Sequence, residues 1–136
     1  MSVPLSIDPR AHLTLTERCT ARCCVAAARL LARRSPRTIC RVLDRVRRGA
    51  RPATAPDALR ARHAVVTVNA RCTGQGCLQR SLATALLCRT RGRWPQWCTG
   101  VRTEPFRARA WVAVDGHPIG EPDDTRLYQP LLSIPR

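Results

Sequence analysis

Apolar residues recur at three- and four-residue spacing through the first part of the chain and alternate with other residues towards its end, which predicts helices followed by strands. Thr14, with Glu17 three places on, fits a capping box and starts the first helix. Within it Cys19, Cys23, Ala26, Ala27, Leu30 and Leu31 trace one face, while Arg18, Arg22, Arg29 and Arg33 lie off it. Cys19 and Cys23 therefore read as small core residues. Ser35-Pro36 ends that helix and opens a second, with serine as N-cap and proline at the first helical position. Ile39, Val42, Leu43 and Val46 form its stripe, and Gly49 closes it. With almost no loop between them, the two helices are expected to form an antiparallel hairpin.

Residues 49–56, Gly-Ala-Arg-Pro-Ala-Thr-Ala-Pro, read as a linker. A third helix is expected from Asp57 to about Ala70, with Leu59, His63, Val66 and Ala70 on one side. His63 on that side reads as a packed ring rather than a base. The stretch from Gly74 to Gly92 comes next and is the centre of the chain. Its glycine-bracketed loop delivers Cys77 to the start of a helix whose apolar face is Leu78, Leu82, Ala85 and Leu86. Arg89 and Arg91 suit the negative end of that helix, and Gly92 stops it. A cysteine at a helix N-terminus feels the positive end of the dipole, which favours the nucleophilic thiolate. The alternative for Cys77 is a buried structural thiol.

After Gly92 the pattern changes. All the aromatics (Trp94, Trp97, Phe106, Trp111 and Tyr128) lie here, and residues 108–114 form a β-type run followed by the hairpin signal Asp115-Gly116. Residues 97–101, 117–120 and 126–132 are further strand candidates. Helices first and an antiparallel sheet after make this an α+β chain. The linker divides it into an N-terminal helical extension, 1–56, and a second unit, 57–136.

Composition changes this picture in two ways. The 24 basic residues are all arginine and stand against 9 acidic ones, a net charge of +15. Such a charge attracts something acidic, whether nucleic acid, anionic lipid or peptide, unless it is simply a scattered solvated surface. No helix-turn-helix, RNA-binding or zinc-finger pattern supports a nucleic-acid module, so no nucleic-acid partner is expected. The eight cysteines, at 19, 23, 24, 40, 72, 77, 88 and 98, form no pair of Cys-x-x-Cys knuckles, so neither a metal nor any other cofactor is expected. The first ten residues hold two prolines and no apolar signal core, and no run approaches the roughly 18 apolar residues of a membrane span. The expected setting is cytoplasmic, with reduced thiols and no membrane span.

Several short motifs occur together and in order: Arg71-Cys72, then residues 76–82 (Gly-Cys-Leu-Gln-Arg-Ser-Leu), Arg91-Gly92, and Gly100-Val101-Arg102. They continue with Pro105-Phe106, Ala110-Trp111-Val112 and a closing Asp115-Gly116-x-Pro-x-x-Glu121. On these the chain, from about residue 58 to 132, resembles the transglutaminase-like leader peptidases of lasso-peptide biosynthesis, the B-type maturation proteases. The resemblance implies a papain-like core with the cysteine helix packed on a small antiparallel sheet. It implies a cysteine peptidase that cuts the leader from a ribosomally made precursor peptide. Cys77 would be the nucleophile, with Glu121 as the acid of the triad and backbone amides at the helix start as oxyanion donors. It also implies two partners, a small leader-recognition protein and an ATP-dependent cyclase that closes the ring.

The family's Ala-His-Ala-Trp is here Ala108-Arg109-Ala110-Trp111. Arginine cannot accept a proton, although it could stabilise a thiolate by its charge. A three-residue loop at residues 114–116 would set Glu121 opposite Arg109, whereas a two-residue turn would shift it by one place onto the other face. His117 and His63 are the histidines weighed as substitutes. His117 reads as a surface turn residue. The rival readings are a catalytically impaired member that binds precursor or partners as a scaffold, and a basic nucleic-acid-binding module, which would lose affinity steeply with salt.

Overall fold

The computed structural model describes residues 14–68, 77–103, 106–120 and 128–134. Among these residues four helices precede most of the strands: α1 (Leu15–Ala32), α2 (Pro36–Val46), α3 (Ala55–Val68) and α4 (Cys77–Thr90). The strands are β1 (Arg51–Pro52), β2 (Arg93–Trp94), β3 (Gln96–Thr103), β4 (Phe106–Val114), β5 (His117–Pro118) and β6 (Gln129–Ile134). β3 to β6 form an antiparallel sheet in the order β5-β4-β3-β6. The architecture is α+β, as the order of periodicities predicts.

The caps form where the sequence puts them. Thr14 accepts a hydrogen bond from the Glu17 N–H at 3.1 Å, and Ser35 accepts from Thr38 at 3.3 Å with Pro36 at the first helical position. The buried faces differ from the expected ones. In α1 the core residues are Ala21, Cys24, Val25 and Ala28, whereas Cys19 and Cys23 are exposed and Leu30 is 66% exposed. Ala21-Cys24-Val25-Ala28 and Cys23-Ala26-Ala27-Leu30 follow the same spacing two residues apart, roughly 200° around the helix. Periodicity cannot choose between them. Packing selects the stripe of smaller side chains, which lets α1 approach α4 and α3 closely. The same holds in α3, where Ala58, Ala61, Ala64 and Val65 are buried while Leu59 is 39% exposed.

α2 does not fold back along α1 as the expected antiparallel hairpin. Its principal packing partner is β6, and its C-terminal end and the turn after it are held from α4: Arg89 donates to Val46 O at 2.7 Å and to Arg48 O at 3.2 Å. Residues 49–56 are also more structured than a linker. Arg51 and Pro52 pair in parallel with Arg93 and Trp94, and Ala53 is buried. Thr54 and Asp57 then cap α3 reciprocally, side chain to backbone, at 3.3 and 3.1 Å.

α4 is the centre of the molecule. It packs against α1, α3 and β4, so the expected single apolar face is too narrow. Residues 80–85, 87 and 88 are all buried. The two hydroxyls among them bond within the helix: Ser81 donates to Leu78 O at 2.9 Å and Thr84 to Arg80 O at 2.7 Å. Trp97 Nε1 donates to Ser81 Oγ at 3.1 Å and ties β3 to the helix. Truncating the fully buried Leu82 to alanine would cost about 2–5 kcal/mol. Residues of α1, α2, α3, α4, β3, β4 and β6 share one continuous core cluster, so the N-terminal helices pack with the cysteine helix.

Alternation sorts the sheet into two faces. Trp97, Ala110, Val112 and Val114 join the core around α4, while Cys98, Trp111, Ala113 and Tyr128 form a second cluster. Gly100 is required where Trp111 crosses β3. A Cβ there would lie 2.7 Å from the Trp111 ring and 2.8 Å from Gln129 O. The hairpin closes with the two-residue turn: Val114 pairs with His117, and Asp115 and Gly116 have φ of 53° and 80°. The wider loop on which an Arg109–Glu121 pairing depends therefore does not form. Glu121 lies outside the described residues, as do Cys72 and Ala70.

Candidate functional site

Seven cysteines are described, all as free thiols, and their surroundings separate them. Burial pushes the Cys88 thiol up to about 12 and, with the neighbouring Cys23 adding to it, Cys24 up to about 11. Burial also raises Cys98 and Cys40. Such thiols keep their protons and are poor nucleophiles. Cys19 and Cys23 are exposed on α1. Cys77 is different from both groups. It is the first residue of α4, is half-buried, and lines a cavity of about 320 Å³.

Four elements build that cavity. α2 contributes Pro36 and Ile39, and α4 contributes Cys77 and Leu78. β3 supplies Trp97, Thr99, Gly100 and Val101, and β4 supplies Ala108, Arg109 and Ala110. The contribution of α2 is not visible in the sequence, which shows only its cap and its stripe. The first N–H groups of an α-helix have no acceptor within it, so the start of α4 brings backbone donors to the residue that carries the thiol.

Cys77 and Arg109 are thus brought to one cavity, and the Arg109 guanidinium packs on an aromatic ring of the second cluster. Arg109 sits opposite Gly100 in the β3–β4 ladder and shares its strand face with Trp111. Its Cζ lies 5.3 Å from the centroid of the Tyr128 ring, a cation–π contact, and Trp111 meets the same ring edge-on at 6.4 Å. The charge weighed as a thiolate stabiliser thus has an aromatic partner in the second cluster.

Neither histidine weighed as a substitute is on the cavity wall. His63 is half-buried on α3, its pKa held below the ordinary value by burial and then by the charge of Arg62. His117 is exposed just past the turn, its Nδ1 3.0 Å from Asp115 O, and lines a separate cavity with Pro52 and Thr54. Among the described residues no imidazole or carboxylate lines the cavity beside Cys77, and no group of three His, Cys, Asp or Glu is arranged to hold a metal. No described helix is long and apolar enough to cross a membrane.

The model of the transglutaminase-like superfamily matches residues 21–133, from within α1 to β6. No curated protein gives a significant match, and no solved structure does. The chain belongs to the transglutaminase-like superfamily. That fold is compatible with a cysteine peptidase.

Proposed function

We propose that this member of the transglutaminase-like superfamily is a cysteine peptidase that removes the leader from a lasso-peptide precursor. The observation that carries the proposal is Cys77 at the first position of the buried central helix, half-buried beside a preformed apolar cavity. The lasso assignment is supported by the ordered motifs around Cys77, Gly100 and Trp111. In this reading the Cys77 sulfur attacks the carbonyl joining leader to core. The C–N bond breaks, the core leaves with a free amine, and water hydrolyses the thioester to release the leader. Amides at the start of α4 stabilise the oxyanion. A leader-recognition protein presents the precursor, and an ATP-dependent cyclase consumes the freed amine.

The test mixes the purified chain with a lasso precursor, with and without a recognition protein, and weighs the products. Release of the leader that disappears in Cys77→Ser supports the proposal. Its absence from wild type and from Arg109→His alike removes it.

One observation favours a second reading, in which the chain binds precursor without cutting it. Arg109 cannot take up the thiol proton or return one to the leaving amine, a role worth about 10²–10⁴-fold in rate. Its guanidinium also lies on Tyr128. A wild type that binds precursor but releases nothing, with release appearing in Arg109→His, selects this reading.

A further inference from the structure

We infer that the cavity beside Cys77 is a selectivity pocket that accepts one apolar, uncharged side chain of the peptide. The inference rests on the reading of Cys77 as the reactive thiol of a peptide-binding site. Its walls come from three directions and are apolar: Pro36 and Ile39 from α2, Leu78 from α4, and Val101, Ala108 and Ala110 from the sheet. Thr99 is neutral, and Arg109 directs its Cζ to within 5.3 Å of the Tyr128 ring centre. At about 320 Å³ the space lies near the lower end of ligand sites, which run from about 300 to 1,000 Å³, and suits a single side chain rather than an extended ligand. A carboxylate entering it would lose its water against walls that are mostly apolar. The chain therefore divides the work of recognition. Its net charge of +15 draws acidic peptides to the surface at large, and the cavity rejects charge at the reacting bond.

This selectivity can be read without turnover. The full chain is alkylated with an isopentyl chloroacetamide and, separately, with a carboxylate-bearing chloroacetamide of the same length. Peptide mapping gives the rate at Cys77 and at the exposed Cys19, which serves as the reference on the same chain. The apolar reagent should be preferred at Cys77 at least about tenfold more than at Cys19, the size expected for burying one aliphatic group. Ala108→Phe, which fills the cavity mouth, and Leu78→Gln, which makes its wall polar, should each lose most of that preference while retaining the circular dichroism of the parent. A preference at Cys77 no larger than at Cys19, or one unchanged in a folded variant of either kind, overturns the inference. Selective labelling by a chain that releases no leader would keep the pocket and remove the peptidase reading. Leader release with no labelling preference would do the reverse.

Discussion

The two ends of α4 carry one cysteine each, about three turns apart, and the fold treats them in opposite ways. At the C-terminal end Cys88 is 1% exposed and its thiol is held protonated up to about 12. Gly92 turns the chain away, and Arg89 reaches across to the carbonyls of Val46 and Arg48. At the N-terminal end Cys77 meets a cavity walled by α2, β3 and β4. The same residue type on the same helix is sealed packing at one end and faces a cavity at the other. Position in the helix is not enough to separate them; what covers each end does.

The largest expected difference is functional. Cys77→Ser should lower leader release at least about 10³-fold, as loss of a nucleophile does. Cys88→Ser should leave release intact and lower the melting temperature, because it buries a hydroxyl where a thiol packed. Product masses and thermal melts of the two variants check this, and equal loss of activity from both would erase the contrast. Gly100→Ala comes next. It forces a methyl against the Trp111 ring and Gln129 O and should destabilise by about 1–3 kcal/mol in a denaturant titration.

Arg89→Ala should open the sealed end. It leaves the Val46 carbonyl at the end of α2 and the Arg48 carbonyl just past it without their donor and should cost about 1–2 kcal/mol by the same titration, with Cys77 labelling unchanged. The smallest effect concerns alkaline pH. The folded pKa of Cys88 is raised from 9.0 to about 12, so the folded state binds the extra proton in between. That contribution is fully present below about pH 9 and is lost as pH rises through the folded value. The melting temperature of wild type should therefore fall more steeply between about pH 9 and 11 than that of Cys88→Ala.

The same contrast shows what the sequence could and could not reveal. The start and stop of α4, the capping residues of α1 and α2, and the β4–β5 hairpin were legible, because each is set by local chemistry at Cys77–Gly92, Thr14, Ser35 and Asp115-Gly116. The buried faces of α1 and α3 were not. Alanine contributes little to a hydrophobic pattern, yet Ala21, Ala28, Ala58 and Ala61 are fully buried because closely packed helices need small side chains. The place of Cys77 at the start of α4 was legible from its glycine-bracketed loop. Pro36 and Ile39 were not, since nothing local to α2 shows that it closes a cavity around a thiol far along the chain. The orientation of Arg109 depends on strand parity and on Tyr128, a partner supplied by the chain leading into β6.

The most direct measurement follows the intact mass of the chain during its reaction with a lasso precursor, by rapid acid quench and peptide mapping. The account predicts a transient adduct of leader mass in thioester linkage on the peptide that begins α4, at Cys77, decaying as free leader appears. An adduct on any other cysteine, or leader released by a Cys77→Ser chain at the wild-type rate, would contradict it.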